Sequence, residues 1–276
     1  MEKVFNTGET QTSLRVTYNP EGSVLRRAQL RMLDMLDYLA TAADAAGVSW
    51  RLDGGNVLGA LRHNGFIPWD DDVDIVVDRK DYKLLCDYLK AHPHPQYVLQ
   101  DPSTDPNYLK AWASLRDLKS EHIALPTTDE RERRSLESLT YRGLHIDIFP
   151  YEDQILPSMQ RLAGKLSAKI NIDLAPKHPR LARLLYHLSD RILFPIFRCC
   201  GHIFGKRGEY MHTYGAWFYE RFPENIVCPY QPISFEGKHY NAPANPDAFC
   251  KIIYGAYQDL PPKEKRNRHQ VGIKFL

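Results

Sequence analysis

Apolar residues at three- and four-residue spacing from Val24 to Ala46 (Leu25, Met32, Leu36, Leu39, Ala43) predict an amphipathic helix that Gly47 ends. The polar residues 1–23 before it, with turn formers at Asn19, Pro20 and Gly22, predict an extended arm. An apolar run from Val48 to Leu52 reads as a strand that breaks at Gly54-Gly55. Asn56 to Arg62 is helix-compatible, Asn64-Gly65 is a turn, and Val73 to Val77 is a second apolar run. Asp81 to Lys90 predicts a further helix, stopped by His92-Pro93-His94-Pro95. Interleaved prolines make that histidine pair a surface turn, because no acids or cysteines converge on it as metal ligands would. Tyr97 to Gln100, Ala111 to Leu115 and Ile123 to Leu125 predict strands, and Glu130 to Leu139 a solvated loop or helix. His145 to Pro150 alternates like a strand, and Pro229 to Asn245 predicts a hairpin turning at Glu236-Gly237.

Composition narrows the class. With 276 residues, 43% of them apolar, the chain can bury one large domain or two small ones. A net charge of +2 gives no global sign of a nucleic-acid binder. The five cysteines form no CxxC pair and no disulfide-rich spacing, and MEKVFNTGETQTSLRV lacks an apolar signal core. Both point to a reduced, cytoplasmic protein. No run is long enough to span a bilayer, and no internal repeat is visible.

The chemistry concentrates between Leu52 and Val77, LDGGNVLGALRHNGFIPWDDDVDIVV. Side chains alternate along a strand, so Asp72 and Asp74 project one way while Val73 and Ile75 face the core. Two carboxylates on one face, beside Asp70 and Asp71, repel one another until protons or a cation relieve them. Hard oxygen ligands of this kind suit Mg²⁺ or Mn²⁺. An EF-hand calcium loop does not fit, since its glycine and terminal Glu are missing after Asp74. The glycine pair upstream lets backbone N–H groups approach a phosphate at a helix N-terminus. Further on, Asp147 interrupts the apolar HIDIFP strand, and burying a carboxylate there is costly without compensation. Lys110 and Arg116 are within reach of the same sheet, as donor-phosphate contacts or as solvated surface residues.

GGNVLGALRHNGFIPWDDDVDI resembles the signature of the LicD family of phosphotransferases, which share the nucleotidyltransferase superfold of DNA polymerase beta. The resemblance implies an α/β fold: a mixed sheet with flanking helices and a helical C-terminal extension. The division it suggests is an arm (1–23), a catalytic core (24–155) and the extension (156–276). It implies transfer of a substituted phosphate from a CDP-linked alcohol such as CDP-choline to a sugar hydroxyl of a glycan or glycolipid, dependent on Mg²⁺ or Mn²⁺. Asp72 and Asp74 match the family's paired metal carboxylates, and Asp147 its later D-[IL]-[FW]-P carboxylate. Gly54, Gly55 and Asn56 match the phosphate-facing turn, with Asn56 where the family usually has Ser. Arg62 and Arg116 join them as candidate donor contacts, while Ser114 stands where the family often has a basic residue. The tail IYGAYQDLPPKEKRNRH resembles the family's closing motif through Tyr254, Gly255, Arg266 and His269.

Two segments leave alternatives open. From Leu156 to Gly208 the chain is helical and basic, carrying ten Lys or Arg against only Asp173 and Asp190. Such a segment packs its apolar stripe on the catalytic sheet, or lies on the anionic inner surface of the membrane. The aromatic run YGAWFYERF (Tyr214 to Phe222), with Trp217 and Tyr219, is core or a surface for a quaternary ammonium, a sugar or a cytosine. Rival functions are a nucleotidyl transferase releasing pyrophosphate and a catalytically inactive binding module. A nucleotide-sugar glycosyltransferase fits less well, because the Asp-x-Asp comes too early for a Rossmann-like half ahead of it.

Overall fold

The computed structural model describes residues 2–126, 128–266 and 271–276. The N-terminal arm is not extended. A capping box between Thr10 and Ser13 starts a helix, α1 (Gln11–Tyr18), whose Leu14 is fully buried. Phe5 packs near His63 and Tyr18 meets Trp69 edge-on, so the arm's few apolar side chains found the same core as the rest. The long helix α2 (Val24–Ala46) has the predicted limits: Ser23 caps its start and Gly47, at φ 67°, ends it.

Strand β1 (Trp50–Leu52) leads into α3 (Gly54–His63), then β2 (Val73–Asp78), α4 (Arg79–Ala91) and β3 (Tyr97–Gln100). The next strands, β4 (Ala113–Asp117) and β5 (Ser120–Ala124), lie slightly displaced from the expected ranges. Glu130–Ser138 is a surface helix, α5, and β6 (His145–Asp153) is the long central strand. The sheet runs β1-β2-β6-β4-β3, with β2 and β6 parallel and the other neighbours antiparallel. It is a mixed α/β sheet, covered by α2 and α4 and cored by Leu36, Leu52, Val73, Ile75, Ile146 and Ile148.

The C-terminal half is only partly the helical extension expected. Helix α6 (Pro157–Ala168) runs into a π-helical stretch, Lys169–Leu174. Then α7 (Pro179–Leu188) passes through a second, Ser189–Leu193, into α8 (Phe194–Phe204). The chain afterwards returns to the sheet: β7 (Glu209–His212) pairs with the end of β6, and β8 (Phe222–Pro223) pairs with β7. The reason is local: β6 outruns β4, and its last residues, Tyr151 to Asp153, need a partner for their backbone groups. A short helix, α9 (Glu224–Val227), precedes the predicted hairpin, β9 (Gln231–Phe235) and β10 (Lys238–Ala242). Its turn puts Glu236 and Gly237 at positive φ, as two-residue hairpins require. Helix α10 (Pro246–Tyr254) packs on α3, and β11 (Val271–Phe275) pairs with β5.

Candidate functional site

Asp74 is the second residue of β2, and its neighbours Val73 and Ile75 are fully buried. Register decides what stands beside it. Across the parallel pair Asp74 faces Asp147 of β6, and Asp147 faces Ser114 of β4. On the other side the backbone N–H of Asp53, just past β1, donates to the Asp74 carbonyl at 3.0 Å. Asp53, Asp74 and Asp147 therefore form a row across three strands, with Asp72 one alternation away along the chain.

Each carboxylate is handled differently. Burial alone would raise Asp53, but His212 Nε2 at 2.7 Å and Arg51 Nη1 at 3.1 Å hold it below the usual carboxylate range. Asp147 accepts Trp112 Nε1–H at 2.9 Å and the Ser114 hydroxyl, with Lys110 Nζ at 3.9 Å. Among the described residues Asp74 forms no ion pair, although it lies in the field of Lys110. Burial, then the charges of Asp72, Asp147, Asp53 and Asp70, push it well above the ordinary range. A cation seated there would remove that repulsion.

The glycine pair lies under these carboxylates. Gly54 has φ +47°, and a Cβ built on it would come 3.8 Å from Asp74 Oδ2 and 3.7 Å from the Tyr254 hydroxyl. A Cβ on Gly55 would come 3.0 Å from Asp70 Oδ2. The N-terminus of α3 thus opens toward the acidic row, where its dipole favours negative charge. Asn56, matched to the phosphate-facing turn, is buried and has another task. Its Oδ1 accepts the Asp74 backbone N–H at 2.6 Å, and its Nδ2 donates to the Asp72 carbonyl at 3.3 Å.

The two arginines named as donor contacts are also committed inward. Arg62 donates to the carbonyls of Tyr257 and Asp259 at 2.8 and 3.1 Å, anchoring the tail on α3. Arg116 bonds Gln100 Oε1 at 2.6 Å and the Gly143 carbonyl at 2.9 Å inside the sheet. Lys110 reaches the Asp147 end of the row. Its ammonium lies over the Trp112 ring, 4.9 Å from the centroid, and burial, partly offset by Asp147, lowers its pKa. Lys110 and Trp112 also line a cleft of about 390 Å³, together with Arg79, Tyr82, Lys90 and Arg191.

Asp72 and Asp74, with Asp147 level with Asp74, are the carboxylates that would hold the expected metal. Among the described residues no three His, Cys, Asp or Glu side chains form a ready-made cage. Asp147 already accepts one hydrogen bond at each oxygen, from Trp112 and from Ser114. Two hard carboxylates leave coordination positions for substrate oxygens, which is how Mg²⁺ is usually bound.

Sequence reading did not find His212, which is 159 residues from its partner Asp53 and has no local signal. It matched Tyr254 to the closing motif without a place for it; the structure sets its hydroxyl over Gly54. Burial beside Asp53, Cys250, Asp70 and Asp74 raises that phenol, keeping it a hydrogen-bond donor. Of the same motif, Gly255 ends α10 at φ 62° and Arg266 clasps Glu9 at 2.8 and 3.0 Å, while His269 lies outside the described residues. Within the aromatic run Trp217 meets Trp112 edge-on at 5.3 Å, behind the indole that holds Asp147, while Phe218 stays exposed.

Residues 47–163 match the family model described as LicD/FKTN/FKRP, nucleotidyltransferase domain. The chain is 26% identical over 274 residues to the lipopolysaccharide cholinephosphotransferase LicD of Haemophilus influenzae, covering 91% of this chain and 98% of that one. It is 48% identical over 44 residues to the ribitol 5-phosphate transferase FKRP of Homo sapiens and of Mus musculus, a match spanning 9% of those proteins.

Proposed function

We propose that this chain, which carries a LicD-family domain, transfers a phosphocholine-type substituted phosphate from a CDP-linked alcohol to a sugar hydroxyl of a cell-surface glycan or glycolipid. The observation that carries the reading is the Asp72–Asp74 segment, clamped by Asn56 against the N-terminus of α3 and level with Asp147. The relatives named for cholinephosphate and ribitol phosphate transfer support the reaction class. The mixed sheet and the family's description support the nucleotidyltransferase superfold shared with DNA polymerase beta.

In this mechanism the acceptor oxygen forms a bond to the distal phosphorus of the donor, the diphosphate P–O bond breaks, and CMP leaves with the electron pair. Asp72 and Asp74 would hold Mg²⁺ or Mn²⁺, which when bound neutralises phosphate charge. Lys110 supplies a second positive charge at the Asp147 end of the row. Asp147 is a carboxylate whose hydrogen bonds to Ser114 and Trp112 leave lone pairs free for the acceptor's proton. Such transfer is mainly positioning and charge neutralisation. Reaction at the cytoplasmic face of the membrane suits this donor class.

The family's description as a nucleotidyltransferase domain favours one second reading, attack on the α-phosphate of an NTP with release of pyrophosphate. One experiment separates them. The protein is incubated with Mg²⁺, lipopolysaccharide, and CDP-choline, CDP-ethanolamine, CDP-glycerol, CDP-ribitol or CTP, with and without EDTA. EDTA-sensitive CMP from one CDP-alcohol is expected. Pyrophosphate from CTP would establish the second reading, and calorimetric binding without turnover an inactive binding module.

A further inference from the structure

The helical run 179–204 presents two faces. Inward, Ala182, Tyr186, Phe194, Phe197 and Gly201 pack on the body of the protein. Outward, Leu181, Leu184, Leu188, Ile192 and Ile196 follow one another at spacings of three, four, four and four, continued by Ile203 and Phe204. These seven side chains are 45 to 74% exposed. One helical line of aliphatic residues is thus left in water, where a folded protein normally puts polar ones.

What surrounds the line identifies its partner. Arg180, Arg183 and Arg191 each immediately precede a stripe residue (Leu181, Leu184, Ile192), so they lie about a quarter-turn to one side. Over residues 156–208 there are ten Lys or Arg against two Asp, an excess of eight positive charges in a chain whose total is +2. The remaining residues therefore carry six excess negatives. Positive charge is segregated onto the segment that also exposes the aliphatic stripe. No helix among the described residues is long and apolar enough to cross a bilayer.

We propose that this helical face, residues 179–204, lies in the surface of an anionic lipid bilayer, with the Leu/Ile stripe in the acyl boundary and the flanking cations among the headgroups. The same edge of the helix, through Tyr186, His187, Asp190 and Arg191, lines a cleft that Lys110 and Trp112 also line. Membrane seating therefore places that cleft at the lipid surface, where a lipid-anchored acceptor reaches the acidic row without leaving its membrane. This last step rests on the transferase reading; the lipid binding itself does not.

The test is vesicle co-flotation of the full chain, with phosphatidylcholine alone or phosphatidylcholine and phosphatidylglycerol at 3:1. The wild type floats with the anionic vesicles and about tenfold less with neutral vesicles or in 0.5 M NaCl. The triple variant Leu184→Glu, Leu188→Glu, Ile192→Glu stays at the bottom, and Lys177→Glu with Arg180→Glu lowers binding about tenfold or more. The substituted residues are exposed, so unchanged melting temperatures check the fold. Wild type that does not float with anionic vesicles, or a triple variant that still floats, overturns the proposal. So does light scattering that finds a dimer abolished by the triple variant, since the stripe would then bind a second copy.

Discussion

Asn56 holds Asp74 by its backbone: the side-chain oxygen accepts the Asp74 N–H at 2.6 Å while the amide nitrogen reaches the Asp72 carbonyl at 3.3 Å. The helix N-terminus and the Asp-x-Asp strand are thereby fixed as one unit. Asn56→Ala leaves a buried donor and acceptor unpaired, a loss of about 1–3 kcal/mol. Turnover should fall about tenfold to a hundredfold, because small misplacements of catalytic groups are expensive. Urea unfolding with CMP release checks both; wild-type turnover would make the amide a packing residue.

Asp74 opposes stability and supports activity. A carboxylate whose pKa is raised by folding destabilises the native state once pH exceeds its unfolded value near 4. Asp74→Asn removes that repulsion and should raise the melting temperature in EDTA by about 2–6 °C. The same change should cost at least about a thousandfold in turnover. Mg²⁺ should stabilise the wild type and not the variant, read by calorimetric melting with and without the metal.

Lys110 joins the acidic row to the cleft. Lys110→Met keeps the aliphatic stem over Trp112 and deletes the charge, so kcat/KM for the donor should fall about a hundredfold with little change in stability. Steady-state kinetics on the donor identified by the panel decide this, and unaltered kcat/KM would remove Lys110 from the site.

The glycines of the motif separate by what a Cβ would meet. At Gly59 it would come 2.4 Å from the Gly65 carbonyl oxygen, a backbone clash. Gly59→Ala should cost several kcal/mol, about 3 or more, or abolish folding. At Gly54 there is ordinary van der Waals space, so Gly54→Ala costs only the left-handed conformation, about 1–2 kcal/mol. Its effect should appear mainly in turnover. Comparative denaturation of the two variants reverses the assignment if Gly54→Ala is the less stable.

His63 predicts acid sensitivity. Its Nε2 accepts from Arg62 Nε at 2.9 Å and its Nδ1 faces Gln11 Oε1 at 2.6 Å, so the folded ring is neutral. Burial and the adjacent Arg62 lower its pKa from 6.5 to about 2. The unfolded chain takes up a proton below 6.5 that the folded chain refuses. Stability is therefore full above pH 6.5 and falls as pH drops toward 2, by up to about 1.4 kcal/mol per unit. His63→Gln should flatten the dependence between pH 6.5 and 4.5, measured by urea unfolding; an unchanged slope assigns it to other groups.

Much of the frame was legible because its signals are local. The three- and four-residue period of Val24–Ala46, Gly47 after it, and Glu236-Gly237 in the hairpin each act within a few residues. So does the alternation that sets Asp74 between the buried Val73 and Ile75. The N-terminal arm was misjudged because its helix depends on burying only Phe5 and Leu14, too few apolar residues for a periodic signal.

The sequence by itself determined that Asp74 and Asp147 each interrupt an apolar strand, since alternation is a property of the backbone. Only the tertiary structure decided the register that sets Asp147 level with Asp74, and the closure that brings His212 to Asp53. It also turned Asn56 toward the strand and committed Arg62 and Arg116 to inward hydrogen bonds. The reason is physical: a residue's type fixes what it can bond, but partners 70 or 160 positions away are chosen by packing the whole core.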